Sequence, residues 1–195
     1  MSFLENAQSR ILDFVEQPDV NTCQSAAIAR VCGTTDVMAV RRALLNISSR
    51  RGSMSGDPYV MGDYLKDNVQ EYQFIVDASL NDAKKALEDG YNLITHGWFT
   101  RAGHVIGLSP YPGGEPYKPH PSLNTYAFNA EDPWYRFHFP SWKYTRRPGN
   151  NVPYSAYGIY ASCVASASMS HAASIYRRGE LNSSMKNMWL HLIKN

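Results

Sequence analysis

The chain has 195 residues, of which 44% are hydrophobic and 18% charged, with a formal net charge of +2. That suffices for one domain with its own core and excludes a disordered chain. The charge excess is too small to point to a nucleic acid, and no apolar run approaches the ~20 residues that span a bilayer. Met1 to Asn6 lacks a basic region followed by an apolar stretch, so the expected setting is a cytoplasm, with a holin or secretion machine needed for release to periplasm or cell wall.

In chain order, Ser2 and Glu5 form a capping box opening an amphipathic helix over 3–15, with Leu4, Ala7, Ile11 and Val15 at helical spacing. Pro18 helps end it, and Asp19 to Thr22 reads as a turn. Asn21 or Thr22 caps a helix that opens at Cys23 and runs to Cys32, with Gly33 as its C-terminal stop. Thr35 or Asp36 starts another, with Val37, Val40, Leu44 and Ile47 on one face. Residues 50–57 form a loop, and Asp57-Pro58 opens a short helix to about Lys66. Tyr72 to Val76 reads as a strand, and Ser79 caps a helix through Glu88 that Gly90 ends.

The pattern then turns to strands. Tyr91 to Thr95 and Gly103 to Leu108 form a hairpin, 110–122 is a Pro- and Gly-rich loop, and Thr125 to Asn129 is a third strand. One more strand falls within Tyr135 to Tyr144, followed by a loop over 146–153. Residues 156–178 fit helix or strand, and a last helix is expected over about 183–194, with Met185, Met188, Trp189 and Leu192 on one side. The expected organisation is a single α+β domain: a helical part over about 1–90, a sheet part over about 91–160, and C-terminal helices.

The three cysteines, Cys23, Cys32 and Cys163, make no disulfide framework. On one helix, Cys23 and Cys32 would lie about 13 Å apart along the axis, beyond the ~7 Å a bridge allows, and their spacing matches no zinc pattern. No metal or cofactor is expected. A cysteine among alanines is usually a small buried hydrophobe, but Cys23 opens a helix. There the free N–H groups and the dipole favour the thiolate, the reactive form. The Cys23 N–H and the Gln17 side-chain amide could together hold an oxyanion.

A cysteine nucleophile needs a base, and the base an orienting partner. Among six histidines, His104 is best placed, after Gly103 at the start of an apolar strand; His96, ending the preceding strand, is second. His120, His138, His171 and His191 fall in a loop, an aromatic run or helices. Asp132, before Pro133 at the end of the third strand, is the expected orienter, with Asn129 as competitor.

Gln17, then Cys23 at a helix start, then Gly103-His104 on a strand, then Asp132-Pro133 after the next strand: this order resembles the papain-like cysteine peptidases. It is most similar to the branch related to bacteriocin-leader peptidases, whose members end their third strand in Asp-Pro. The likeness covers about residues 10–135. It implies a papain-like fold, with an N-terminal helical part packed on a C-terminal antiparallel sheet. It also implies Gln17 as oxyanion donor, Cys23 as nucleophile, His104 as general base and acid, and Asp132 as orienter. Two departures stand out. Gln24 follows the nucleophile where many relatives have Gly, and an insertion over 110–124 lengthens the step from His104, which keeps Asn129 open beside Asp132.

Related folds cut leader peptides, ubiquitin-like tails or the peptides of bacterial cell wall. A small, mildly basic chain without a signal fits a peptidoglycan peptidase of the phage-endolysin or injected-effector kind. A leader-peptide or protein-processing protease, a thiol acyltransferase, and a non-catalytic protein with a buried Cys23 are the alternatives; the oligomeric state stays open. Trp98, Phe99, Tyr111, Tyr117 and Trp134 are candidates to line the cleft, and Arg101 to meet a substrate carboxylate, although arginines beside turns are commonly just solvated.

Overall fold

In the computed structural model, residues 14–123, 125–164, 168–179, 182 and 184–195 are described. The Ser2–Glu5 capping box and nearly all of the helix expected over 3–15 lie outside them. The chain is α+β, with helices first and an antiparallel sheet after. The helices α1 (Cys23–Val31), α2 (Val37–Arg51) and α3 (Pro58–Asn68) lead into β1 (Glu71–Ala78) and α4 (Leu80–Glu88). Next come β2 (Asn92–Gly97), β3 (His104–Ser109), β4 (Lys118–His120), β5 (Thr125–Glu131), β6 (Phe137–His138), β7 (Lys143–Tyr144) and β8 (Val152–Ser155). The chain closes with α5 (Ala156–Val164), α6 (Met169–Arg178) and β9 (Met188–Lys194).

Local chemistry accounts for most of the helix boundaries. The Asp36 carboxylate accepts from the Ala39 N–H at 2.8 Å, and the Asp57 carboxylate from the Tyr59 N–H at 2.8 Å, with Pro58 at the first helical position. Ser79 and Asp82 form a reciprocal capping box at the start of α4. Gly33 takes up a φ of +68° after α1, a conformation that costs a residue with a side chain more than it costs glycine.

The main sheet runs β1-β9-β2-β3-β5-β4, with β8 also on β5. Helices cover both of its faces. Ile94, Val105 and Ile193 pack with α1, α2 and α3, whereas Leu93, Ile106, Leu108, Phe128 and Leu192 pack with α4, α5 and α6. Neighbouring residues such as Leu93 and Ile94 therefore both need to be apolar.

That double burial is why the C-terminus departs from expectation. Residues 183–194 do not form a helix. Met188 to Lys194 is a central strand, pairing with β1 on one side and β2 on the other. Leu190 and Leu192 face one layer and Ile193 the other, so the alternation that marks a half-buried strand is absent. The sheet is thus not confined to 91–160: it takes β1 from the helical part and β9 from the end of the chain. The ambiguous 156–178 stretch resolves into α5 and α6, and the single strand expected within 135–144 is the small β6–β7 hairpin.

One polar chain crosses the face toward α3. The Tyr72 hydroxyl lies 2.8 Å from His191 Nδ1, and His191 Nε2 lies 3.0 Å from His96 Nε2. His191 is therefore on a strand, not a helix, and its ring stacks on Phe74 at 4.4 Å. Burial holds both imidazoles below the ordinary histidine value, His96 at about 4. Both are neutral in the fold, and an unfolded chain takes up their protons near pH 6.5. Their contribution to stability is therefore present above pH 6.5 and is lost as pH falls toward 4. Denaturant titrations at pH 7.5 and 4.5 should show a loss of stability that shrinks in His96→Gln; an unchanged loss would remove His96 from the cause.

Candidate active site

The site starts in the turn before α1. The Gln17 backbone N–H donates to the Pro133 carbonyl at 2.7 Å, and its side-chain Nε2 donates to the Asp19 carbonyl at 2.6 Å. Thr22 is the residue before the helix, as expected, but its hydroxyl donates to the Asp19 carbonyl at 3.0 Å and does not cap α1. The first N–H groups of α1 are thus left for Cys23 and whatever binds beside it.

His104 opens β3 after a tight turn. Gly103 has a φ of +79°, and its carbonyl accepts from the Thr100 hydroxyl at 2.6 Å. The imidazole is buried, with Nε2 2.8 Å from Asp132 Oδ1. The imidazole also interacts with the Cys23 thiol, each shifting the acidity of the other. Cys23 at the start of α1, His104 on β3 and Asp132 after β5 are therefore brought together, with the His104–Asp132 hydrogen bond at 2.8 Å. Asn129 is not among them. Its amide donates to Asn151 Oδ1 at 2.7 Å and to Ser109 Oγ at 3.1 Å. His96 belongs to the Tyr72 chain instead.

Asp132 is fully buried, and four donors surround its carboxylate. Oδ1 takes His104 Nε2 and the Trp134 N–H at 3.1 Å; Oδ2 takes the Tyr144 hydroxyl at 3.0 Å and the Tyr154 hydroxyl at 2.8 Å. Burial and the adjacent carboxylate push both phenols well above the ordinary tyrosine value, so they stay protonated as donors. Sequence reasoning missed both tyrosines, because nothing local marks a phenol that will meet a carboxylate 12 or 22 residues away.

The electrostatics of the pair run in opposite directions. Burial alone would raise the Cys23 thiol, but the hydrogen bond to His104, its charge, and the Val105 and Gln24 backbone together bring it below the ordinary thiol value. Burial also works against the imidazolium, but the Asp132 carboxylate and the thiol outweigh it and lift His104 to about 9. The arrangement favours a thiolate–imidazolium pair at neutral pH. Burial instead lifts Cys32 to about 11 and Cys163 to about 12.

Two further contacts involve α1. Gln24 places its Oε1 3.6 Å from the sulfur, with Nε2 3.5 Å from the Ser55 carbonyl. Arg30, in the last turn of α1, pairs with Glu131 at 3.4 Å, both side chains being buried. The helix that opens at Cys23 is thus tied to the residue next to Asp132. Of the aromatics expected in a cleft, Phe99 and Trp134 stand beside the His104 ring, with centroids 6.3 Å away in each case. Tyr117 packs on Phe128 instead, and the Tyr111 ring lies under Lys118.

Among the described residues, no group of three or more His, Cys, Asp or Glu side chains is arranged to hold a metal ion, and no helix is long and apolar enough to cross a membrane. No family model, curated protein or solved structure matches the chain.

Iodoacetamide at pH 7 should alkylate Cys23 well ahead of Cys32 and Cys163, with a rate profile shifted below that of an ordinary thiol. In His104→Ala the profile should move to or above the ordinary value, because only burial and the backbone contacts remain; mass spectrometry of the labelled peptides reads both. Arg30→Met should cost about 3–5 kcal/mol in denaturant unfolding, since it strands Glu131 without its cation. Adding Glu131→Gln should recover part of that loss.

Proposed function

We propose that the protein is a cysteine-nucleophile amide hydrolase, a divergent papain-like peptidase acting on the peptide stems or cross-links of bacterial peptidoglycan. The observation that carries this reading is the Cys23–His104–Asp132 grouping at the tip of α1. A helix terminus and an imidazole between them favour the thiolate, and a buried carboxylate orients the imidazole.

The steps follow from the roles. The Cys23 thiolate attacks the carbonyl carbon of a scissile amide, and the oxygen takes the negative charge. The uncapped start of α1 supplies N–H donors to that oxygen. Gln17 would be the second donor, as the resemblance implies; its Nε2 donates one hydrogen to the Asp19 carbonyl, and the role calls on the other. The His104 imidazolium then gives its proton to the leaving amine as the C–N bond breaks, leaving an acyl thioester on Cys23. Neutral His104 next takes a proton from water, whose oxygen attacks the thioester and frees the carboxylic acid and the Cys23 thiolate, restoring the thiolate–imidazolium pair. Asp132 holds the ring through Nε2, so the other ring nitrogen faces sulfur and substrate throughout.

The peptidoglycan substrate and the route to it follow from the sequence resemblance. Such an enzyme would be synthesised in a cytoplasm and released by a holin or a secretion machine. Incubation with purified peptidoglycan should release soluble fragments with the wild-type protein. In Cys23→Ala, turnover should fall by about 10⁴-fold or more, with thermal unfolding near that of the wild type. Retained turnover in Cys23→Ala would end the proposal. Mass spectrometry with added amines separates hydrolysis from acyl transfer: free acids support a hydrolase, and amine adducts a transferase.

A further inference from the structure

Beside the Cys23–His104–Asp132 grouping lies a cavity of about 390 Å³. Phe99, Trp134, Trp142 and Tyr144 form its aromatic wall. Three of these touch the catalytic candidate directly: the Tyr144 ring lies 5.6 Å from the His104 ring, and those of Phe99 and Trp134 each lie 6.3 Å away. Trp142 is held there with a φ of +51°, a strained backbone for a bulky residue, and its indole N–H donates to the Trp98 carbonyl at 3.2 Å. The cavity therefore adjoins His104 across these aromatic side chains.

Its charge is one-sided. Arg101, Lys143 and Arg146 line it, and no carboxylate does. Among the described residues none of the three forms an ion pair. The nearest acid, Asp132, is saturated by its four donors beneath the wall. Three of the four lining hydroxyls are also committed as donors, Thr100 to the Gly103 carbonyl, Thr145 to the Arg136 carbonyl and Tyr144 to Asp132. Three like charges around an apolar cleft repel one another, and the low-dielectric wall focuses their field into it. A carboxylate would relieve that repulsion and gain charge-assisted hydrogen bonds. The aromatic faces suit the methylene groups of the residue that bears it.

We propose that this cavity is a subsite for a carboxylate-bearing residue of the substrate, so that the substrate is an acidic peptide. The proposal rests on the hydrolase reading for the identity of the scissile bond, but not for the binding itself. Peptide stems whose glutamyl α-carboxyl is free have the required chemistry; the same stems with that group amidated do not.

The test uses full-length Cys23→Ala protein, which can bind but not turn over. The probes are two synthetic tetrapeptides, L-Ala-γ-D-Glu-L-Lys-D-Ala with a C-terminal amide, differing only in whether the glutamyl α-carboxyl is free or amidated. Calorimetry at low salt should give at least tenfold tighter binding of the free acid, an advantage that shrinks as salt rises. Adding Arg101→Ala, Lys143→Ala and Arg146→Ala should bring the two peptides within about twofold. All three positions are exposed on the surface, and thermal unfolding checks that the variant is folded. Equal affinities, no binding of either peptide, or an advantage that survives the triple substitution would overturn the subsite. Charge-selective binding without wild-type turnover would refute the hydrolase and leave the subsite standing; turnover without charge selectivity would do the reverse.

Discussion

The buried Asp132 carboxylate, with four hydrogen-bond donors around it, organises this half of the molecule. A charge taken out of water loses a large solvation energy and survives only where its lone pairs are met. Here the donors come from separate segments: β3 supplies His104, the turn after β5 supplies the Trp134 N–H, β7 supplies Tyr144 and β8 supplies Tyr154. Satisfying one carboxylate therefore brings four stretches of chain to one point. The Asp132 N–H donates to the Gly149 carbonyl at 2.9 Å, and a Cβ on Gly149 would lie 2.4 Å from the Asp132 carbonyl oxygen. The loop can come that close because residue 149 has no side chain.

The helical layer is coupled to the same point twice. Gln17 bonds to Pro133 through its backbone, and Arg30 pairs with Glu131. These contacts flank Asp132 on both sides and hold the two ends of the segment 17–30. Cys23 lies between them, so its sulfur is brought to His104 by contacts made at a distance from the sulfur itself. The buried Arg30–Glu131 pair serves alignment more than net stability, because desolvating both ions offsets much of their attraction.

The cysteines show how far environment decides chemistry. Cys23, Cys32 and Cys163 share one intrinsic acidity. Burial dominates at Cys32 and Cys163 and raises both thiols. At Cys23 the same penalty is outweighed by an imidazole and two backbone contacts. The cavity beside it extends the same electrostatic pattern outward, since the anion that balances His104 is buried beneath the wall while the cations stand around the opening.

Local signals in the sequence determined much of the first 131 residues. The starts of α2, α3 and α4 follow from side chains that bond to backbone a few positions on, and the β2–β3 hairpin from a short link between apolar runs. The places of Cys23, His104 and Asp132 at the ends of a helix and two strands were legible too. Tertiary structure alone decided the rest. Asp132 and Asn129 are both polar residues near one strand end, and only the register of β3 against β5 directs one to His104 and the other to Asn151. Tyr144, Tyr154 and the Arg30–Glu131 pair act across 12 to 101 positions, so no local pattern announces them. Residues 188–194 became a central strand because layers cover the sheet on both faces, which erases the period-two alternation by which a strand is read.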